Sequence, residues 1–176
     1  EHLVNSDCNL LVGEEFTLIR DEFSIAKKKR QNYKINTNDI SALISFGGGS
    51  NELTYQACLE LLSLKEIKKI NIIIGPLDKL TKVNEFKSNN RVNLINNTNQ
   101  MGDLLAQSSI VIGASGGSTW ERLYVGVPSF QLIISKNQRE ISELLAKENY
   151  IKLIRRTDDI SVEVRKWISG EIKFKP

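Results

Sequence analysis

The stretch Val111-Ile112-Gly113-Ala114-Ser115-Gly116-Gly117-Ser118-Thr119-Trp120-Glu121-Arg122 reads as a buried strand that runs through a glycine-rich turn straight into a helix. Such a turn leaves unpaired backbone N–H groups at the positive end of a helix, where anions are received. The small residues from Gly113 to Ser118 let a phosphate approach the backbone, and Glu121 lies one turn further on, in reach of hydroxyls. The stretch points to a phosphate-bearing ligand with a sugar attached, and first among these to a nucleotide. A competing reading makes Ser118 and Glu121 a capping box that only satisfies the helix start. Capping leaves Gly113, Gly116 and Gly117 unexplained.

Outward from this turn, short apolar runs alternate with amphipathic ones from residue 41 onward. Strands are predicted at Ala42–Phe46, Ile70–Ile74, Val92–Ile95, Ile110–Ile112, Ser129–Ile134 and Ile151–Ile154. The runs are continuous rather than alternating, as parallel strands covered on both faces require. Helices are predicted at Leu53–Leu64, Leu77–Lys87, Met101–Gln107, Thr119–Tyr124, Gln138–Asn149 and Ile160–Ile168. Strand–helix alternation of this kind gives an α/β, doubly wound parallel sheet whose ligands bind beyond the carboxyl ends of the strands. Residues 1–40 do not follow the rhythm and read as a lead-in or linker segment before a binding domain at 41–176. Within that segment, Leu10–Gly13 and Phe16–Arg20 suggest short extended pieces, and Lys27–Asn38 an exposed polar stretch.

Composition narrows the class. The chain has 176 residues, 40% of them hydrophobic, enough for one domain with a substantial core. No apolar run approaches the ~20 residues that span a membrane, and no leader peptide is legible. The net charge is only +3, so nucleic-acid binding would need a concentrated patch. Lys27-Lys28-Lys29-Arg30 is the one dense cluster, and without interleaved aromatics it reads as a solvated loop. Cys58 shares a helical apolar face with Leu53, Ala57, Leu61 and Leu62, and reads as a small hydrophobe. With no paired-cysteine motif and His2 as the single histidine, no metal-ligand spacing exists and a reducing cytosol is the expected compartment.

Three further strand-to-helix loops could carry chemistry. Gly47-Gly48-Gly49-Ser50-Asn51 permits close approach of a ligand to the backbone, or is a tight turn with a helix cap. Ser135-Lys136-Asn137-Gln138 offers two adjacent amides to hydroxyls or phosphate oxygens, or again forms a capping box. Asn96-Asn97-Thr98-Asn99-Gln100-Met101-Gly102 could hold a base edge through its backbone, or be an ordinary polar turn.

In this order the loops resemble the C-terminal half of a GT-B enzyme. The resemblance rests on Asn99–Leu105, Ile110–Arg122, Gly126-Val127-Pro128 and Asn137-Gln138, with Phe46–Ser50 and Leu11–Arg20 also fitting, over about residues 10–155. The nearest branch is the pseudaminic-acid pathway hydrolase that cleaves UDP from a UDP-sugar, with its spore-coat-polysaccharide relatives. The peptidoglycan N-acetylglucosaminyltransferase, of glycosyltransferase family 28, is more distant. The resemblance implies a Rossmann-like domain that binds a UDP-sugar without metal or other cofactor. Backbone groups around Asn99 and Met101 would hold uracil, and Glu121 the ribose hydroxyls. Amides of Gly116, Gly117, Ser118 and Thr119 would hold the diphosphate. Asn137, Gln138 and the Gly48, Gly49, Ser50 loop would face the distal phosphate and sugar.

The resemblance also implies a second, N-terminal domain carrying the catalytic base, expected to lie outside this chain. His2 is not that base. Three functions follow: half of a nucleotide-sugar hydrolase in surface polysaccharide or nonulosonic acid synthesis, the donor domain or subunit of a UDP-sugar-dependent glycosyltransferase, or a non-catalytic nucleotide-binding module. A nicotinamide-dinucleotide protein fits poorly, because no G-x-G-x-x-G follows the first strand.

Overall fold

The computed structural model describes residues 8, 9, 13, 16–47, 51–75, 82–96 and 98–175. Six strands form one sheet: β1 (Ile40–Ser45), β2 (Ile67–Ile74), β3 (Val92–Asn96), β4 (Ile110–Ala114), β5 (Ser129–Leu132) and β6 (Lys152–Ile154). All neighbouring pairs are parallel, in the order β3-β2-β1-β4-β5-β6. The order reverses between β1 and β4, so the crevice where doubly wound sheets take their ligands lies above these two strands. The predicted fold class holds, with strand ends moved by a few residues.

The helices are α1 (Asp21–Arg30), α2 (Asn51–Leu62), α3 (Met101–Ala106), α4 (Ser118–Val125), α5 (Arg139–Lys147) and α6 (Ile160–Ile168). Strand residues alternate between two cores. Ile40, Ala42 and Ile44 of β1 pack with Ala57, Cys58 and Leu61 of α2 and with Ile160 and Val164 of α6. Leu43 faces the other way, onto Phe23 and Ala26 of α1, Leu105 of α3 and Val125 of α4. With a hydrophobic layer on each side, the central strands cannot alternate polar with apolar, which is why they read as continuous runs. Phe130 of β5 anchors the outer part of the first core, its ring edge-on to Trp167 and Phe174.

Two expectations are corrected. The Lys27–Arg30 cluster is the last turn of α1, not a solvated loop. Phe23 and Ala26, one turn apart, are the only buried residues of this helix, a stripe too narrow to read as amphipathic. Tertiary partners supply the rest. Arg30 donates to the carbonyls of Ala106 (3.3 Å) and Ser108 (2.5 Å), Lys29 pairs with Asp103, and Lys27 lies over the Tyr124 ring. The helix predicted at Leu77–Lys87 is, in its described part, a 3-10 helix at Val83–Ser88, where Val83 and Phe86 are buried. Residues 76–81 lie outside the described residues.

Cys58 sits in the core as expected, and burial pushes its thiol up to about 12. Cys8 is exposed. An aromatic disulfide reagent at pH 8 is expected to titrate one thiol in the native chain and the second only in denaturant. Prompt reaction of both without denaturant would mean that α2 opens readily from the sheet.

Candidate functional site

The carboxyl ends of β1, β4 and β5 form a row at one level. Ser45 is paired with Gly113, and Gly113 with Gln131. Above this row β4 turns into α4 through Ser115, Gly116 and Gly117. The Ser115 N–H donates to the Leu132 carbonyl (2.8 Å), which stitches the loop to β5. The Gly116 N–H donates to Thr119 Oγ1 (3.1 Å), and that hydroxyl donates to Gln131 Oε1 (2.9 Å). The Thr119 N–H closes back on the Gly116 carbonyl (2.9 Å). Of the four amides expected at a diphosphate, Gly116 and Thr119 are therefore used internally. Those of Gly117 and Ser118 have no acceptor among the described residues, and both residues are exposed at the positive end of α4.

Neither capping box forms. The N-cap of α4 is Gly117 and has no side-chain cap, so Ser118 is already helical. Glu121 turns instead to Arg20, whose Nη2 lies 3.2 Å from its Oε1. Arg20 also pairs with Glu22 (2.8 Å), and Glu22 accepts the Gly102 N–H (3.0 Å). An unbroken polar chain thus runs from the start of α3, beside the loop that carries Asn99 and Met101, across to Glu121. Asn99 is exposed and Met101 half-buried. In the β5–α5 loop the Ser135 hydroxyl donates to Asn137 Oδ1 (2.6 Å), and its oxygen accepts no helix N–H. Gln138 Oε1 accepts the Ile134 N–H (3.0 Å), while its Nε2 lies 3.5 Å from where a side chain on Gly116 would begin. Gln138 is thereby set against the glycine turn, and Asn137 is exposed beside it. Gly48, Gly49 and Ser50 lie outside the described residues.

The sequence reading passed over Arg122. It packs on the Ser45–Gly113–Gln131 row, 2% exposed, donating through Nη1 to the Ala114 carbonyl (3.0 Å) and through Nη2 to the Ser45 carbonyl (3.1 Å) and Ser118 Oγ (3.0 Å). Room for the guanidinium exists because Gly113 has no side chain: a Cβ there would stand 2.7 Å from Nη2. Burial pushes this guanidinium down to about 10, partly opposed by the charge of Glu121, so it stays charged at neutral pH. Nothing in the local pattern marks it, since an arginine in the second turn of a helix reads as solvent-facing.

With this strand order the domain is a doubly wound, Rossmann-like α/β fold of the kind seen in GT-B glycosyltransferases. No family model matches the chain. The glycotransferase of kitacinnamycin superposes with a TM-score of 0.58 at 21% identity, over 78% of this chain and 37% of that one. The C-terminal CMP-Kdo binding domain of WaaA from Acinetobacter baumannii superposes with a TM-score of 0.56 at 16% identity, over 86% of this chain and 90% of that one. In sequence, an uncharacterized protein of Methanocaldococcus jannaschii is 28% identical over 153 residues. The alignment takes in 82% of this chain and 30% of that protein's length, so the chain spans under a third of this relative.

Proposed function

We propose that this chain is the donor-binding domain of a nucleotide-sugar-dependent glycosyltransferase and that its nucleotide is UDP. The observation that carries the reading is the pair of unengaged amides of Gly117 and Ser118 one turn ahead of the Glu121 carboxylate. A diphosphate on the amides puts a ribose within reach of an acceptor suited to two vicinal hydroxyls. The backbone beside Asn99 and Met101 takes the base, and Asn137 and Gln138 take the distal phosphate and sugar. The kitacinnamycin glycotransferase, which shares this fold, supports the transferase side. Hydrolysis is the second reading, favoured by the likeness of Thr119-Trp120-Glu121 and Asn137-Gln138 to the pseudaminic-acid branch.

Either chemistry needs a second domain or subunit across the cleft. What supports such a partner is apolar surface left open: Leu18 is 97% exposed, and a cleft of about 510 Å³ along α4 is lined by Trp120, Leu123, Tyr124 and Tyr150. Among the described residues no helix is long and apolar enough to cross a membrane. We place the protein in the cytoplasm, where nucleotide sugars are made.

Calorimetric titration with UDP, UMP, GDP and NAD, with and without a chelator, tests the reading. UDP is expected to bind tighter than UMP and GDP, independently of metal, with NAD not binding. Equal affinity for GDP would overturn uracil recognition, and no binding of any nucleotide would overturn the donor site.

A further inference from the structure

We infer that Arg122 is a positioning residue for the diphosphate: a buried cation whose missing acidic partner is the ligand, and whose hydrogen bond aims the Ser118 hydroxyl at it. The inference rests on the reading of the glycine turn as a diphosphate site. Arginine is almost never fully buried without a carboxylate, because its desolvation is offset only by an opposite charge and a complete set of acceptors. Here the acceptors are two carbonyls and a hydroxyl, all neutral, and among the described residues Arg122 forms no ion pair. Glu121, its neighbour in sequence, is committed to Arg20. The polar layer around it is also incomplete: Ser115 Oγ and Gln131 Nε2 are buried with no partner among the described residues. Beyond the field of Glu121, which Arg20 already shares, a buried cation held by neutral acceptors and bonded to Ser118, whose amide is open, is completed by an anion seated on the turn.

The second half of the inference is directional. Ser118 Oγ accepts from Arg122 Nη2, so the serine's own proton must be donated elsewhere, and Ser118 is exposed on the turn. An oxygen of the bound diphosphate is the acceptor that this geometry offers. Arg122 itself, 2% exposed, does not touch the ligand. It acts through its field and through Ser118, and it ties the β1 and β4 loop bases together at fixed spacing.

The test compares UDP, UMP and uridine on Arg122→Met, Arg122→Lys and Ser118→Ala. If Arg122 acts through charge, the loss scales with the phosphates. Arg122→Met is expected to weaken UDP on the order of 100-fold, UMP about 10-fold, and uridine by less than about 2-fold. Arg122→Lys keeps the charge but not the fork, and should lose about 10-fold on UDP alone. Ser118→Ala, at an exposed position that leaves the fold intact, should cost UDP about 10-fold and uridine nothing. Equal losses on all three ligands, or unchanged UDP binding in Ser118→Ala, would overturn the inference. Should Arg122→Met fail to fold by circular dichroism, Ser118→Ala and Arg122→Lys decide it. Failure of the underlying reading looks different, since the unsubstituted chain would then bind neither UDP nor uridine.

Discussion

Replacing Glu121 with alanine is expected to weaken UDP by about 2–3 kcal/mol, or on the order of 30- to 150-fold, without unfolding the domain. The carboxylate has no structural duty that would hide this effect. It does not cap α4, whose N-cap Gly117 has no side-chain bond; its ion pair is to Arg20, whose side chain is 62% exposed, and beyond that its charge only eases the burial of Arg122. An exposed pair of that kind contributes roughly 0–1 kcal/mol, so the melting temperature should move by no more than about 4 °C. If the carboxylate takes the ribose, as proposed, uridine and UDP should lose affinity alike. That separates Glu121 from Arg122, whose removal spares uridine. Glu121→Gln keeps one acceptor and should fall between the two. A drop in melting temperature with unchanged affinity per folded molecule would assign Glu121 to the helix rather than to the ligand.

The largest effect on stability is expected from Gly113→Ala. A Cβ at this position collides with the Ser45 carbonyl oxygen of β1 and stands 2.7 Å from Arg122 Nη2. Neither obstacle can step aside cheaply. The carbonyl belongs to a central strand bonded on both edges, and moving the guanidinium strips a buried cation of its acceptors. Overpacking with disruption of a buried polar group should cost about 3 kcal/mol, lowering the melting temperature by about 6–12 °C. Thermal unfolding by circular dichroism measures it. A shift under about 2 °C would show that β1 and β4 separate readily at this end, and the fixed spacing assigned to Arg122 would fall with it. Gly116→Ala is the control: the same added methyl meets only Gln138 Nε2, at 3.5 Å, and is expected to leave stability nearly unchanged.

The glycine pattern in the sequence thus had two physical causes that letters alone do not distinguish. Gly116 and Gly117 keep the turn open at the surface, while Gly113 makes room inside for an arginine. Gly126 has a third role: with φ +81° it ends α4 in the left-handed region, its N–H returning to the carbonyls of Arg122 and Leu123. The capping-box alternatives do not form, because Ser-x-x-Glu and Ser-x-x-Gln specify an option, not an outcome. At Ser118 the helix begins one residue earlier, on Gly117, and the hydroxyl is claimed by Arg122 instead. At Ser135 it turns to Asn137, and only the Gln138 side chain reaches back toward the chain start.

What the sequence determined by itself was the architecture, and with it the sheet edge at which ligand loops are expected. Continuous apolar strands separated by helical stretches admit little besides a parallel sheet covered on both faces, and such a sheet puts its ligand loops at one edge. Only the tertiary structure decided α1, the Glu22–Arg20–Glu121 chain and the burial of Arg122. Each depends on partners that are distant along the chain: α1 is held by carbonyls about 76 residues away, and Arg122 reaches a carbonyl 77 residues before it. Periodicity reports what one segment buries. It cannot report which distant backbone oxygen will meet a charge, and that pairing decides whether an arginine stands in water or in the interior.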